Sequence, residues 1–129
     1  MYNVSQEQLQ EIDSVLKQEL LAIGIDCVIV VDMAGNIIAQ HDNGQLDWDI
    51  TAFAALAAGN FAAVDAMAEI VGEHKFSLHF HRGETESIHF SKIGDDLLLI
   101  SVFGNETSLG FIRLKTDEVI ERIREIWEG

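Results

Sequence analysis

The sequence contains no proline and only one cysteine. Because proline is absent, the breaks between helices and strands must come from glycine, asparagine and aspartate, the other residues that favour turns. A single cysteine excludes an intramolecular disulfide bond and is typical of a reducing compartment, so we expect a cytoplasmic protein. Cys27 itself lies in an apolar run and is therefore expected in the core and not at a reactive site.

Positive charge is also scarce. Eight Lys and Arg residues stand against 22 Asp and Glu residues, which leaves a formal net charge of −14. A surface of this sign repels nucleic acid and anionic lipid, whereas it is compatible with a partner that has a basic patch. No basic segment followed by an apolar one opens the chain, and glycine and aspartate interrupt the apolar runs. We therefore predict no signal peptide, no membrane insertion and no nucleic-acid partner.

Motifs for catalysis and nucleotide binding are missing as well. The sequence has no P-loop, no dinucleotide-binding glycine pattern, no G-x-S-x-G and no C-x-x-C. These patterns supply the phosphate-binding loops and activated nucleophiles of common enzyme classes. We therefore predict no catalytic residues, no cofactor and no enzymatic activity of the chain's own.

Local signals predict eight helices and strands in a single domain, residues 1–129. Ser5 and Gln8 form a capping box that starts a helix, and Gly24 is suited to end it. After this helix, the predicted elements are strands at 27–31 and 37–40, a helix at 51–72, strands at 76–82, 86–93 and 97–103, and a helix at 109–127. Residues 111–115 also alternate like a strand, so a shorter final helix is the alternative to the favoured long one.

The strands at 27–31 and 97–103 are apolar at successive positions, so both faces of the sheet must be covered. Three helices can supply that cover, and the short turns make most strand pairs antiparallel hairpins. The order α-β-β-α-β-β-β-α therefore predicts an α/β fold, a three-layer α-β-α sandwich built on a five-stranded antiparallel sheet.

The predicted helix at 51–72 has two apolar faces at helical periodicity. The face with large side chains, expected in the core, carries Phe53, Leu56, Ala57, Asn60, Val64, Met67, Ala68 and Val71. The other face carries small residues, Ala55, Gly59, Ala62 and Ala66, flanked by Ala52, Ala63 and Ile70. Gly59 costs about 1 kcal/mol relative to alanine within a helix, and close packing against a second helix would offset that cost. We expect this contact with a second copy of the chain; the alternative is an alanine-rich helix that only lies flat on the sheet.

A third strip of the same helix carries Phe61, Asp65 and Glu69 beside Ala58. Aromatic side chains dominate the energetics of many interfaces, so a partly exposed aromatic beside two acids is a candidate partner-binding site. Burial of Phe61 against a second copy of the chain is an alternative of equal weight.

Three histidines lie on the predicted hairpin at 76–93. His79 and His81 share one face of their strand, and a three-residue loop at 83–85 would place His89 opposite His79. Three converging imidazoles form a zinc site with an open position. A different loop length breaks this register, and the favoured interpretation is a polar, half-exposed hairpin face with no metal.

Three segments of the chain resemble the roadblock family, which includes the dynein light-chain roadblock and MglB-like proteins. They are VIVVDMAGNIIAQ, with Asp32 and Gly35 in its turn, AALAAGNFAAVDAMAE and SLGFIRL. The order of the elements resembles the same family from about Leu9 to Ile126. The resemblance implies the roadblock, profilin-like fold.

The resemblance also implies a homodimer in which the third strands pair and the second helices pack together. Carried over to this chain, the implied dimer interface consists of Ala52, Ala55, Gly59, Ala62, Ala63, Ala66, Ile70, Phe76, Leu78 and Phe80. Roadblock proteins bind small Ras-like GTPases, regulate them or act as assembly scaffolds. MglB-type members stimulate GTP hydrolysis without supplying an arginine finger.

Together these features predict a non-enzymatic, homodimeric regulator or adaptor that binds a small Ras-like GTPase. The first alternative is an assembly scaffold subunit with no activity toward a GTPase. The second is a sensor of a metal or small ligand that uses the histidine face.

Overall fold

The computed structural model describes residues 4–76 and 79–129. Its elements are α1 (Gln6–Val15), β1 (Cys27–Asp32), β2 (Ile37–Asp42), α2 (Ile50–Ile70), β3 (His79–Arg82), β4 (Glu86–Ile93), β5 (Leu97–Gly104) and α3 (Leu109–Glu128). The five strands form one antiparallel sheet in the order β2-β1-β5-β4-β3. The predicted order of elements and the predicted fold class are therefore confirmed.

The first helix begins and ends where its local signals predict. The Gln8 amide donates to Ser5 Oγ at 3.1 Å, and the Ser5 amide donates to Gln8 Oε1 at 2.7 Å, which completes the capping box. Beyond α1 the helix continues through a π-helical turn, Leu16–Leu20, and a 3-10 turn, Leu21–Ile23. It ends at Gly24, whose φ of 98° lies in the left-handed region that favours glycine.

The turn between β1 and β2 packs closely against α2. The Asp32 carboxylate accepts hydrogen bonds from the amides of Ala34, at 3.0 Å, and Asn36, at 2.8 Å. Gly35 has a φ of 91°, and a Cβ atom there would lie 2.9 Å from the Cα atom of Ala55 in α2. Glycine is therefore required twice at this position, by the backbone conformation and by the approach of the helix.

Two helices cover one face of the sheet and one helix covers the other. The core beneath α1 and α3 is formed mainly by Ile12, Leu16, Leu20, Val28, Val30, Leu97, Leu99, Phe103, Ile112, Val119 and Ile123. The core beneath α2 is formed by Cys27, Ile29, Val31, Ala54, Ala57, Phe61, Phe90, Leu98, Ile100 and Val102. Every position of β1 and β5 is buried, as expected for the central strands of a three-layer sandwich.

The C-terminal segment is one continuous helix, so the alternative strand at 111–115 is wrong. Ser108 caps its first turn by accepting a hydrogen bond from the Phe111 amide. The C-terminal half of α3 contacts the first helix: Gln8 Nε2 of α1 donates to the Ile126 carbonyl at 2.8 Å, and Arg122 Nη1 donates at 2.9 Å to Oε1 of Glu19 in the π-helical turn. Within residues 111–115, Ile112 is fully buried and Lys115 Nζ lies 3.5 Å from Glu19 Oε2, as the helical conformation allows.

The β3–β4 hairpin has a different register from the one that would bring three histidines together. Arg82 pairs with Ser87, so four residues, 83–86, separate the last paired positions of the hairpin, and His79 pairs with Phe90. His79 and His81 therefore lie on the α2 side of the sheet, whereas His89 lies on the α1/α3 side, opposite Phe80. The alternative in which the three imidazoles converge is therefore wrong. Within residues 4–76 and 79–129, no group of three or more His, Cys, Asp or Glu side chains is arranged to hold a metal ion.

Candidate interaction surface on α2

The ends of α2 are defined by side-chain and glycine caps. Asp49 Oδ1 accepts a hydrogen bond from the Ala52 amide at 3.1 Å, which satisfies a free donor of the first turn. At the other end Gly72 has a φ of 87°, and the Glu73 amide returns to the Ala68 carbonyl at 2.8 Å. The 21 residues between these caps extend for about 30 Å at 1.5 Å per residue.

The inner face of α2 is made of one aromatic residue and several alanines. Its buried residues are Ala54, Ala57, Ala58, Phe61 and Ala68. The strands beneath them already carry large side chains, among them Ile29, Leu98 and Ile100. Because the sheet supplies the bulk of this core, the helix packs closely through small residues.

The predicted core face of α2 is therefore partly wrong. Four residues of that face agree with the prediction: Ala57 and Ala68 are buried, and Phe53 and Val64 are half-buried. The other four are exposed and were misassigned to the core: Leu56, Asn60, Met67 and Val71. The helix is turned so that Phe61 faces the sheet, where its ring centroid lies 4.4 Å from that of His79. The prediction assumed that the face with the most large apolar residues is the buried one, and this assumption does not hold for a helix that contacts the sheet mostly through alanine.

The opposite side, here called the outer face of α2, is apolar and exposed. It consists of Ala52, Ala55, Leu56, Gly59, Ala62, Ala63, Ala66, Met67 and Ile70. Leu56, Met67 and Ile70 are 75%, 53% and 83% exposed. A Cβ atom on Gly59 would meet nothing within 4 Å, so nothing within one protomer requires glycine there. Leu56 and Met67 belong to this face although the sequence pattern assigned them to the core.

The predicted partner-binding strip is not a single exposed strip. Phe61 is 3% exposed, so the prediction that its ring is partly accessible is wrong. Asp65 is half-buried, with Oδ1 3.7 Å from Nε2 of His79. Only Glu69 is fully on the surface. Phe61 faces the sheet, where it belongs to the core cluster with residues of β1, β4 and β5 and its ring lies against that of His79.

The strand half of the predicted dimer interface is only partly on the surface. β3 lies at an edge of the sheet, and Phe76, which precedes it, is exposed. Phe80 is half-buried and points to the α1/α3 side, where its ring centroid lies 6.3 Å from that of Phe103. A second copy would therefore meet the backbone of Phe80 and not its ring. Leu78 lies outside the described residues.

The buried thiol of Cys27 has no nucleophilic character. Burial, followed by the negative charges of Asp42 and Asp26, raises the pKa of Cys27 to about 12. The thiolate is the reactive form of cysteine, so this side chain stays neutral and acts as part of the apolar core. The expectation of a core cysteine matches its position in the structure.

By length and composition, α2 meets the criterion for a membrane-crossing helix, and it is the one helix in the described part of the chain that does so. Length and composition alone therefore do not distinguish this helix from a membrane span, and the absence of membrane insertion stays a prediction. Its most apolar window has a mean hydropathy of 1.5, and 22% of that window is buried. The core helix of a soluble protein meets the same criterion, and α2 packs Phe61 and four alanines against the sheet. The helix is apolar on two faces, and the protomer buries only one of them.

Comparison with known proteins gives a consistent result over nearly the whole chain. The Roadblock/LC7 domain family model matches residues 11–103. The structure is similar to that of Myxococcus xanthus MglB, with 30% identity and a TM-score of 0.82 over 99% of this chain and 93% of that one. It is also similar to the gliding protein MglB from Thermus thermophilus, with 26% identity and a TM-score of 0.78 over 99% and 94% of the two chains. Schizosaccharomyces pombe profilin, at 16% identity and a TM-score of 0.63 over 88% and 97%, shares the fold. No curated protein sequence matches the chain significantly.

Proposed function

Because the chain belongs to the Roadblock/LC7 domain family, we propose that it is a cytoplasmic, non-enzymatic homodimer that binds and regulates a small Ras-like GTPase. The observation that carries the proposal is the outer face of α2, where three large apolar side chains are exposed among alanines. Exposed apolar side chains do not stabilise a single protomer, whereas a contiguous apolar patch is typical of a protein-binding surface.

Self-association is supported by the shape as well as the polarity of the outer face. Gly59 and the surrounding alanines leave room for a second helix to approach closely. Burial of Leu56, Met67 and Ile70 against another copy would contribute roughly 1.5–3 kcal/mol for each side chain that becomes fully buried. The edge strand β3 offers unpaired backbone groups to the same second copy.

The GTPase part of the proposal rests on the similarity to Myxococcus xanthus MglB and on the family resemblance. The chain has no nucleotide-binding motif, so the nucleotide and the chemistry belong to the partner. With Phe61 buried, the proposed contact uses the ends of the paired α2 helices, where Glu69 is exposed and Asp65 half-exposed. A net charge of −14 steers a basic surface of the partner toward them.

Light scattering tests the homodimer directly. At micromolar concentration the wild-type mass is expected to be about twice the 14.3 kDa of one chain. Leu56→Glu with Ile70→Glu should give a folded monomer because two charges would be buried between the copies. The matched control is Leu114→Glu, a leucine on α3 that is also exposed, which should leave the dimer intact. A wild-type monomer throughout the micromolar range contradicts the proposal.

Calorimetric titration with the small GTPase encoded nearest to this gene tests the partner. Affinity is expected to be higher for the form loaded with a non-hydrolysable GTP analogue than for the GDP form. Glu69→Lys should slow association and weaken binding while the dimer persists, since an accessible charge acts mainly on the encounter rate. Equal affinity for both nucleotide states would favour a scaffold without activity toward the GTPase.

A further inference from the structure

Three buried polar side chains lie in the layer between α3 and the sheet. His89 Nδ1, Ser101 Oγ and Thr116 Oγ1 have no hydrogen-bond partner within the described ranges 4–76 and 79–129. The residues are 4%, 0% and 1% exposed. Such groups are normally paired in a folded protein, because desolvation without a partner is costly.

The topology places all three on the same side of the sheet. His89 and Ser101 are directly opposite each other on β4 and β5. Ser101 alternates with Leu99 and Phe103, whose side chains belong to the core beneath α1 and α3. Thr116 is buried on the face of α3 that covers this core. Three polar groups without hydrogen-bond partners therefore lie within the largely apolar layer between α3 and the two strands.

The charged and titratable groups that act on His89 come from α3 and β3. They are Arg113 and Asp117 on α3 and His79 on the neighbouring strand. Burial, and then the positive charge of Arg113, lower the pKa of His89 to about 4, while Asp117 opposes this effect in part. The imidazole is therefore neutral at neutral pH, and a positive charge on it would be unfavourable while α3 is in place.

We propose that the buried His89 makes the packing of α3 on the sheet pH-sensitive: α3 stays in place while the imidazole is neutral and is released when the imidazole is protonated. The imidazolium requires water or a carboxylate. Movement of α3 away from the sheet admits water and lets Asp117 approach the ring, and it separates Arg113 from the new charge. The device thus couples mild acidity to the outer helix layer and leaves the central strands in place.

The sign follows from the two protonation states. His89 has a pKa of about 4 with α3 in place and returns toward its usual 6.5 when the ring is exposed. Between these values the opened form binds a proton that the closed form does not, so acid favours opening. The equilibrium constant for opening α3 should rise by up to about tenfold for each pH unit below 6.5, and by about 300-fold at most.

Hydrogen exchange of the native protein, corrected for the intrinsic rates at each pH, measures this opening. From pH 6.5 to pH 4.5 the protection of α3 amides should fall by more than tenfold relative to β1 amides. His89→Gln keeps a polar side chain but cannot titrate, so most of this pH dependence should disappear. The control His81→Gln removes an exposed histidine of the same hairpin and should retain the wild-type dependence. The carboxylates contribute equally to the pH dependence of all three proteins. The difference between His89→Gln and the other two proteins therefore isolates the contribution of His89.

A titration of the histidine ring resonances by NMR provides a test that needs no variant. The His89 ring is expected to stay neutral down to about pH 5, well below the protonation of a freely exposed histidine. The proposal is overturned if His89 titrates near 6.5 while α3 stays protected. It is equally overturned if α3 and β1 lose protection in parallel, or if His89→Gln shows the wild-type pH dependence.

Discussion

The two faces of the sheet are covered in different ways. On the α1/α3 side both the helices and the strands contribute large side chains, and the helices are joined by ion pairs such as Arg122–Glu19. On the α2 side the strands contribute the large side chains, and the helix contributes Phe61 and alanines. Leu56, Met67 and Ile70 of that helix remain on the outside. The first layer leaves only Phe111 and Leu114 of the described α3 residues as exposed large apolar side chains, whereas the second leaves the whole outer face of α2 uncovered within the protomer.

The largest expected effect tests the layer beneath α1 and α3. Leu16, fully buried beneath α3, should cost about 2–5 kcal/mol when replaced by alanine, because the cavity cannot close in a layer packed from both sides. Urea unfolding at fixed protein concentration measures the loss. Leu56→Ala, the same substitution on the outer face of α2, should change the unfolding of the protomer by less than about 0.5 kcal/mol. A similar loss at both positions would remove the distinction between the two layers.

The close approach of α2 to the β1–β2 turn gives the next largest effect. Gly35→Ala should destabilise the fold by about 1–3 kcal/mol, since the new Cβ atom meets the backbone of Ala55 and the φ angle is left-handed. Gly44→Ala is the matched control, because Gly44 has a similar φ of 82° but open space around it. Thermal or urea unfolding should show a clearly smaller loss for Gly44→Ala. Equal losses would mean that the contact with α2 contributes nothing.

Gly59 distinguishes a free outer face from a packed one. In the monomeric background Leu56→Glu with Ile70→Glu, Gly59→Ala should raise the free energy of unfolding by about 1 kcal/mol, because alanine favours the helix and meets no neighbour. In the wild-type dimer the gain should be smaller, and Gly59→Leu should weaken the dimer by overpacking it. Dilution experiments with light scattering measure the second effect. An unchanged dimer in Gly59→Leu would place the contact elsewhere.

The smallest effect concerns Glu86 at the start of β4. Glu86 is an exposed residue, but local desolvation, a hydrogen bond to Asp26 and the charges of Asp26 and Glu106 raise the pKa of Glu86 to about 7, and solvent screening keeps the effect on stability small. The folded form therefore holds a proton that the unfolded form has lost, and this contribution to stability is present below about pH 4.5 and disappears as the pH rises through 7. Glu86→Gln should be more stable than wild type at pH 8 and lose the advantage at pH 5, as measured by urea midpoints. Glu84→Gln, in the same loop, should show no such difference.

The features that the sequence predicted correctly depend on neighbouring residues. The capping box of Ser5 and Gln8, the stop at Gly24 and the turn around Gly35 all follow from contacts within a few residues. The apolar runs of β1 and β5 likewise specify central strands whatever their partners are. For the same reason the family and the order of elements were accessible from short segments alone.

What the sequence by itself determined is thus the identity and order of the helices and strands, together with an apolar α2 too rich in small residues for one face. Only the tertiary structure decided how α2 is rotated about its axis and that the three histidines of the hairpin do not converge. The rotation of α2 depends on the bulk that β1 and β5 supply beneath Phe61. The separation of His89 from His79 and His81 depends on one extra residue in a loop. Both features depend on contacts between segments that are distant in the sequence. The periodic pattern of one segment does not specify the side-chain volume or the strand register of the segment that it contacts.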